Sequence, residues 1–216
     1  ECCDGSIYET ENAYRIYLNG EFYRETKQVV NVLYQLEPEK EYCISIEQGE
    51  EKAEISFCTE AQDYTVNVRD FGARGDGVQD DTLYIQAAIM ACPKDSRVLI
   101  PEGVYRITSL FLKDHLTLEL AKGAVLSADT QREKFPILKG TCQNEEKGKE
   151  YILGTWEGDA CDMFSGIITG IGVKDVTIYG EGIIDGNASW ENWWFEAKKI
   201  RIAARPRMIF LNRCEN

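Results

Sequence analysis

The sequence is short of histidine, of long apolar runs and of positive charge. Its single histidine, His115, has no convincing nucleophile and acid around it, which argues against a Ser-His-Asp hydrolase. No apolar run is long enough to cross a bilayer, so no membrane partner is expected. Because no basic and apolar leader opens the chain at Glu1, cytoplasmic and secreted locations both stay open.

Basic residues are outnumbered throughout the chain. There are 24 Lys and Arg against 37 Asp and Glu in 216 residues, a net charge of −13. A nucleic-acid partner is therefore not expected, because such proteins need a basic surface. The densest basic run, which could form a local patch, consists of Lys198, Lys199, Arg201, Arg205 and Arg207.

Eight cysteines are present, but none forms a C-x-x-C pair. This spacing makes a zinc or thioredoxin-like site improbable, and we predict no metal and no cofactor. Cys43 and Cys58 lie on predicted strands that could be neighbours, which makes them a candidate disulfide. Cys92 and Cys214 are predicted to be small buried hydrophobic residues.

Residues 1–60 read as short strands separated by turns. Asn19-Gly20 is a strong hairpin signal between alternating segments. Regularly spaced short strands predict a β-sandwich. The predicted strands are residues 14–18, 21–26, 29–36, 42–46 and 53–59.

A strand, a glycine loop and an amphipathic helix follow in residues 67–91. Asp80 and Asp81 offer oxygens and negative charge to the start of the helix. Apolar residues then recur at helical spacing, namely Ile85, Ala88, Ile89 and Cys92. From Arg97 onwards, brief apolar strands alternate with polar or glycine corners, interrupted by a charged insertion at residues 131–162. Strands this short are unstable as isolated hairpins, so we expect them to coil into stacked rungs.

Four sequence words resemble the polygalacturonase family, family 28 of the glycoside hydrolases: FGARGDG, DDTLYIQAAI, GEGIIDGNASWENWW and RPRMIFLNRCEN. The resemblance implies that residues 64–216 are the cap and first rungs of a right-handed parallel β-helix. It also implies inverting hydrolysis of pectin or oligogalacturonides without a metal. Residues 36–42 resemble a corner of fibronectin type III domains, so residues 1–60 would be a small, incomplete sandwich of that type. The first two words also resemble polysaccharide lyases and non-catalytic tailspike-like proteins, which remain alternatives.

Three residues are candidates for substrate binding. Trp193 and Trp194 offer flat apolar faces that suit a pyranose ring, although packing of the insertion is an equal alternative. Arg205 could fork onto a uronate carboxylate or form a structural ion pair. Trp190 could stack on a sugar ring in the same way, but packing of the insertion onto the rungs is the preferred interpretation for it. Asn187 opens an N-x-S sequence that fits a glycosylation acceptor.

No residue is assigned a catalytic role. Glu181 and Asp185 could be an acid and base, but Asp185 stands in a glycine turn where its side chain more often bonds the local backbone. The resembling family carries its catalytic aspartates on later rungs, which would place them beyond residue 216. We therefore expect the chain by itself to be inactive.

Overall fold

A computed structural model describes residues 8–143, 150–196, 199 and 202–215. The chain divides into two compact units, Glu1–Gln62 and Asp63–Asn216. Within the described ranges, no helix has the length and apolar character to cross a membrane.

The first unit contains one antiparallel sheet. Its four strands are β1 (Glu9–Leu18), β2 (Glu21–Gln28), β3 (Glu41–Gln48) and β4 (Glu51–Cys58). They lie in the order β2-β1-β3-β4. Asn19 and Gly20 connect the first two strands with φ angles of 52° and 82°, which confirms the predicted hairpin turn.

In this unit the predicted strand over residues 29–36 and the candidate disulfide between Cys43 and Cys58 are wrong, and one hydrogen bond agrees with the sequence. Residues 29–36 form no strand, and the four strands that the structure describes make one sheet. Cys43 lies opposite Ser56 while Cys58 lies opposite Glu41, and both thiols are free. The Tyr42 hydroxyl accepts a hydrogen bond from the Glu37 backbone N–H at 2.8 Å, as expected for a tyrosine packed across a turn. The fibronectin-type assignment stays a prediction.

The second unit begins with strand β5 (Thr65–Asn67), a 3₁₀ turn, strand β6 (Asp76–Asp80) and helix α1 (Thr82–Ala91). Ile85, Ala88 and Ile89 of the helix are buried, as the spacing predicts. The role of Asp81 differs from the prediction. Its buried carboxylate makes no bond to the helix, and instead accepts hydrogen bonds from the backbone N–H groups of Arg74 and Gly75, both at 2.9 Å.

The remaining main strands form three parallel sheets, and consecutive strands along the chain belong to successive sheets. The strands are β7 (Arg97–Ile100), β8 (Gly103–Ile107), β9 (Leu110–Phe111), β10 (Leu116–Leu120), β11 (Ala124–Ala128), β18 (Ile168–Ile171), β19 (Val176–Gly180), β20 (Ile183–Asp185) and β21 (Ile209–Asn212). The sheets have the orders β19-β10-β7-β5, β20-β11-β8-β6 and β21-β18-β9. Because the chain from β7 onwards passes through the three sheets in a repeating order, while β5 and β6 of the first turn join two of them, the strands form a parallel β-helix.

Neighbouring strands pair without a shift in register, so apolar side chains of successive rungs lie above one another inside the coil. Val66, Val98, Leu118 and Ile178 are paired in successive strands, and Val98 and Leu118 are fully buried. This burial against the neighbouring rung stabilises strands of only two to five residues. Cys92 is buried as predicted, whereas Cys214 is exposed, contrary to the prediction.

The charged insertion between β11 and β18 forms short antiparallel pairs. They are β12 (Ile137–Leu138) with β17 (Met163–Phe164), β13 (Thr141–Gln143) with β14 (Glu150–Ile152), and β15 (Thr155–Trp156) with β16 (Asp159–Ala160). Its base packs on the coil through an aromatic cluster that contains Phe135, Phe164, Trp193 and Ala203. The insertion therefore forms a wall beside the rungs.

Candidate functional site

A pocket of about 350 Å³ lies where the insertion, the segment after β20 and the segment before β21 meet. Its wall is mainly apolar, and no acidic residue is among those that line it in the described part of the chain. The lining residues are Ala128, Phe135, Ile167, Gly186, Ala188, Trp193, Trp194, Ala204, Arg205, Pro206, Arg207 and Met208. A concave apolar site with a few polar groups is the usual form of a ligand pocket.

Trp193 forms the inner wall of the pocket. Only 4% of its surface is exposed, and its ring meets the rings of Phe135 and Phe164 edge-on at centroid distances of 5.4 and 6.0 Å. The guanidinium of Arg132 lies over the same ring at 4.6 Å. These contacts fix the indole between the insertion and the coil, so packing is its main role.

Side-chain amides shape the segment that carries the tryptophans. The Asn187 amide nitrogen donates to Ser127 Oγ at 2.6 Å and to the Ala128 carbonyl at 2.8 Å, which ties the segment to β11. Asn192 Oδ1 accepts from the Ser189 N–H at 2.7 Å, and its amide nitrogen donates to the Asn187 carbonyl at 2.9 Å. Glycosylation at Asn187 would disturb both bonds of its amide nitrogen.

Arg205 and Arg207 carry the positive charge of the pocket. The Arg205 guanidinium lies 4.3 Å from the centroid of the Trp194 ring, and Nη1 donates to the Trp193 carbonyl at 3.4 Å. Arg207 lies near the Met163 sulfur and the Phe210 ring. Among the residues that the structure describes, neither guanidinium forms an ion pair with a carboxylate. The alternative of a structural ion pair for Arg205 therefore finds no support in the described ranges.

A charged cluster anchors the base of the insertion next to the pocket. Asp129, 6% exposed, contacts Lys134 at 2.7 Å and Arg106 at 3.1 Å, and accepts from the Gln131 N–H at 2.8 Å. Burial raises the pKa of Asp129, but the bonds from Lys134 and Gln131 and the nearby charges outweigh it and lower the pKa overall. Asp129 is thus an anionic anchor.

The structure brings the three predicted substrate residues to one pocket and changes the interpretation of a fourth. Trp193, Trp194 and Arg205 all line the cavity, although only Trp194, at 45%, exposes much of its ring. Trp190 is 78% exposed and lies 5.9 Å from the Trp194 ring, so the packing role expected for it is wrong. Its exposure depends on the fold of an aperiodic loop, and no local sequence signal predicts it.

The other candidates take local roles. Asp185 accepts from the Asn187 N–H at 2.8 Å, which is the backbone role predicted for it. In the basic run, Lys199 pairs with Glu196 at 2.8 Å, while Lys198 and Arg201 lie outside the described residues. No group of three or more metal-ligating side chains is found within residues 8–143, 150–196, 199 and 202–215.

Comparison with known proteins agrees with this architecture. Residues 65–150 match the model of the family described as "Rhamnogalacturonase A/epimerase, pectate lyase-like". An exo-poly-alpha-D-galacturonosidase of Dickeya chrysanthemi is 31% identical over 134 residues, which cover 62% of this chain and 21% of that relative. Together these matches support a pectin-degrading family. The chain is similar to enzymes of that kind over part of its length.

One structural similarity and one short sequence similarity show how far the resemblance to known proteins extends. The solved family 28 exopolygalacturonase of Yersinia enterocolitica superposes with a TM-score of 0.59 at 24% identity, over 87% of this chain and 38% of that chain, which shows the shared fold. Alginate lyase 7 of Azotobacter vinelandii is 54% identical, but over 44 residues, or 19% of this chain and 5% of that relative. The chain spans only about a fifth of the length of the curated galacturonosidase.

Proposed function

We propose that this chain is the cap, the first rungs and a substrate-binding pocket of a polygalacturonase-like glycoside hydrolase. Its substrate would be pectin or an oligogalacturonide, cleaved with inversion. The 134-residue similarity to a galacturonosidase supports this reading, because it extends well beyond the cap.

The environment of Arg205 is the observation that supports a uronide as the substrate. Arg205 is stacked on Trp194 in an apolar pocket, and no described carboxylate neutralises it. The chain has a net charge of −13, which repels an anionic sugar. The Arg205 guanidinium is a local positive charge that would attract one. A planar guanidinium matches a carboxylate through two parallel hydrogen bonds, and each galacturonate unit supplies one.

The pocket binds rather than cleaves in this proposal. Inverting hydrolysis requires two carboxyl groups roughly 6.5–9.5 Å apart, one to protonate the leaving oxygen and one to activate water. No acid lines the described pocket, and none of the 216 residues is assigned to either role by motif. We therefore expect the chain alone to bind oligogalacturonide without turnover.

The lyase alternative has weaker support. The similarity to the alginate lyase covers 44 residues, against 134 residues for the galacturonosidase. A match this short does not support a shared chemistry, because function resides in the site. Formation of an unsaturated product that absorbs in the ultraviolet, by the chain or by a longer form of it, would favour a lyase.

Calorimetric titration with trigalacturonate and with neutral galactotriose tests the proposal. We expect trigalacturonate to bind, galactotriose to bind at least about tenfold more weakly, and the trigalacturonate affinity to fall with added salt. Equal affinity for the two sugars, or no binding of either, would contradict it. Reducing-end release from polygalacturonate measures turnover, and clear release by the pure chain would contradict the inactive reading.

A further inference from the structure

Trp190 is the most exposed tryptophan of the second unit whose side chain the structure describes. Its residue is 78% exposed, and its neighbour Trp194 is 45% exposed. A single exposed apolar side chain is common on protein surfaces. Trp190 is not isolated, because its ring lies 5.9 Å from the ring of Trp194, which lines the apolar pocket. Large exposed aromatic rings beside a charged pocket mark a surface that binds a partner or ligand.

Trp194 is poorly placed to stack on a sugar itself. The Arg205 guanidinium covers one face of its ring at 4.3 Å, and Trp190 approaches it at 5.9 Å with a 52° tilt between the ring planes. This arrangement makes Trp194 a positioning residue that holds the Arg205 fork in the pocket. A cation stacked on an indole is held by the electrostatics of the ring.

We infer that Trp190 is a stacking platform for a second sugar unit, next to the unit held by Arg205. The occupant is an anionic oligohexuronate, since the cationic pocket next to the platform selects carboxylates while the indole takes the apolar face of a pyranose. The inference rests on the proposed function, because it assumes that the pocket binds a uronide. It assigns Trp190 and Trp194 different roles.

Titration of the 216-residue chain with galacturonic acid and with trigalacturonate tests this division. In Trp190→Ala we expect trigalacturonate to bind at least about tenfold more weakly, while the monomer, which fits the pocket alone, changes less than about twofold. Trp190→Phe should restore most of the trimer affinity, because it keeps a flat ring. Tyr64→Ala removes another exposed aromatic ring of the same unit, away from the pocket lining, and should change neither affinity.

The outcomes separate the two proposals. If the unaltered chain binds neither sugar, the proposed function fails and the platform with it. If it binds both and Trp190→Ala retains the full trimer affinity, only the platform is wrong. A change in sedimentation of Trp190→Ala with unchanged sugar binding would also overturn the platform, since it would make Trp190 a contact between protein chains.

Discussion

The carboxylate of Asp129 lies 2.7 Å from the ammonium nitrogen of Lys134, and this contact holds the start of the insertion against the end of β11. Arg106 of the preceding rung contacts the same oxygen at 3.1 Å. One nearly buried acid thus connects two rungs to the wall of the pocket. Its two cationic partners are each about one third exposed, so solvent screens part of the attraction.

Asp129→Asn should destabilise the second unit. The amide keeps the shape of the side chain but loses the charge that satisfies Lys134 and Arg106, and we expect a loss of about 1–3 kcal/mol in the free energy of unfolding. Urea unfolding followed by tryptophan fluorescence measures it, because all four tryptophans lie in this unit. Asp63→Asn, at an exposed site, is the control. Equal stability of the two variants would show that the cluster contributes nothing.

The stabilisation by Asp129 should depend on pH in one direction. Its pKa in the folded protein is lowered, so the folded state favours the charged form more than the unfolded state does. The contribution is therefore complete above the unfolded pKa of about 3.9 and is lost as the pH falls below it, through the folded pKa. Subtracting the unfolding free energy of Asp129→Asn from that of the unaltered chain, between about pH 7 and pH 3, isolates this term. A difference that does not shrink towards acid pH would contradict the assignment.

Regular spacing in the sequence predicts the parts of the fold that repeat. Ile85, Ala88 and Ile89 are buried on one face of a helix, as their spacing predicts, and the strands stack in rungs because they are too short to be stable alone. The described strands of the first unit form one sheet, and the β-sandwich stays a prediction because strand spacing does not specify how many sheets the strands form. Cys214, which stands between Arg213 and Glu215, is exposed, because a small apolar side chain does not by itself indicate burial.

The site is harder to predict because distant contacts decide it. Trp190, Trp193 and Trp194 lie within five residues, and sequence cannot tell which one points inward. Phe135 and Phe164, from the insertion, bury Trp193 and leave Trp190 exposed. Asp81 shows the same limit, because a turn at Gly75 presents backbone N–H groups that compete with the helix for its carboxylate.

Gly180 tests how closely the rungs stack. It has φ of +125° and pairs with Leu120 in the neighbouring strand, and a Cβ atom on Gly180 would stand 2.0 Å from the Leu120 carbonyl oxygen. Gly180→Ala should therefore cost at least about 3 kcal/mol, as strain and backbone displacement add. Gly172, at φ +65° with open space around it, isolates the strain, and Gly172→Ala should cost about 1 kcal/mol. Similar losses in both variants would mean that rung spacing relaxes freely.

Phe135 tests whether the insertion supports the pocket. The ring is buried and meets Trp193 at 5.4 Å, so Phe135→Ala should leave a cavity and lower the unfolding free energy by about 3–5 kcal/mol. The fluorescence of the folded protein should also shift to longer wavelength as water reaches Trp193. Tyr64→Ala, at an exposed site, should change stability by no more than about 0.5 kcal/mol. An unshifted spectrum in Phe135→Ala would show that the insertion does not hold Trp193.

Arg205→Lys distinguishes a carboxylate fork from a simple positive charge. Lysine keeps the charge but loses both the paired donors and the flat group that stacks on Trp194. We expect about tenfold weaker binding of trigalacturonate, with the unfolding free energy nearly unchanged. The matched control is Arg213→Lys, because Arg213 stacks on Tyr151 at 4.0 Å and is not among the pocket residues. If Arg205→Lys bound trigalacturonate as tightly as the control, recognition would depend on charge alone and the stack on Trp194 would have no role in it.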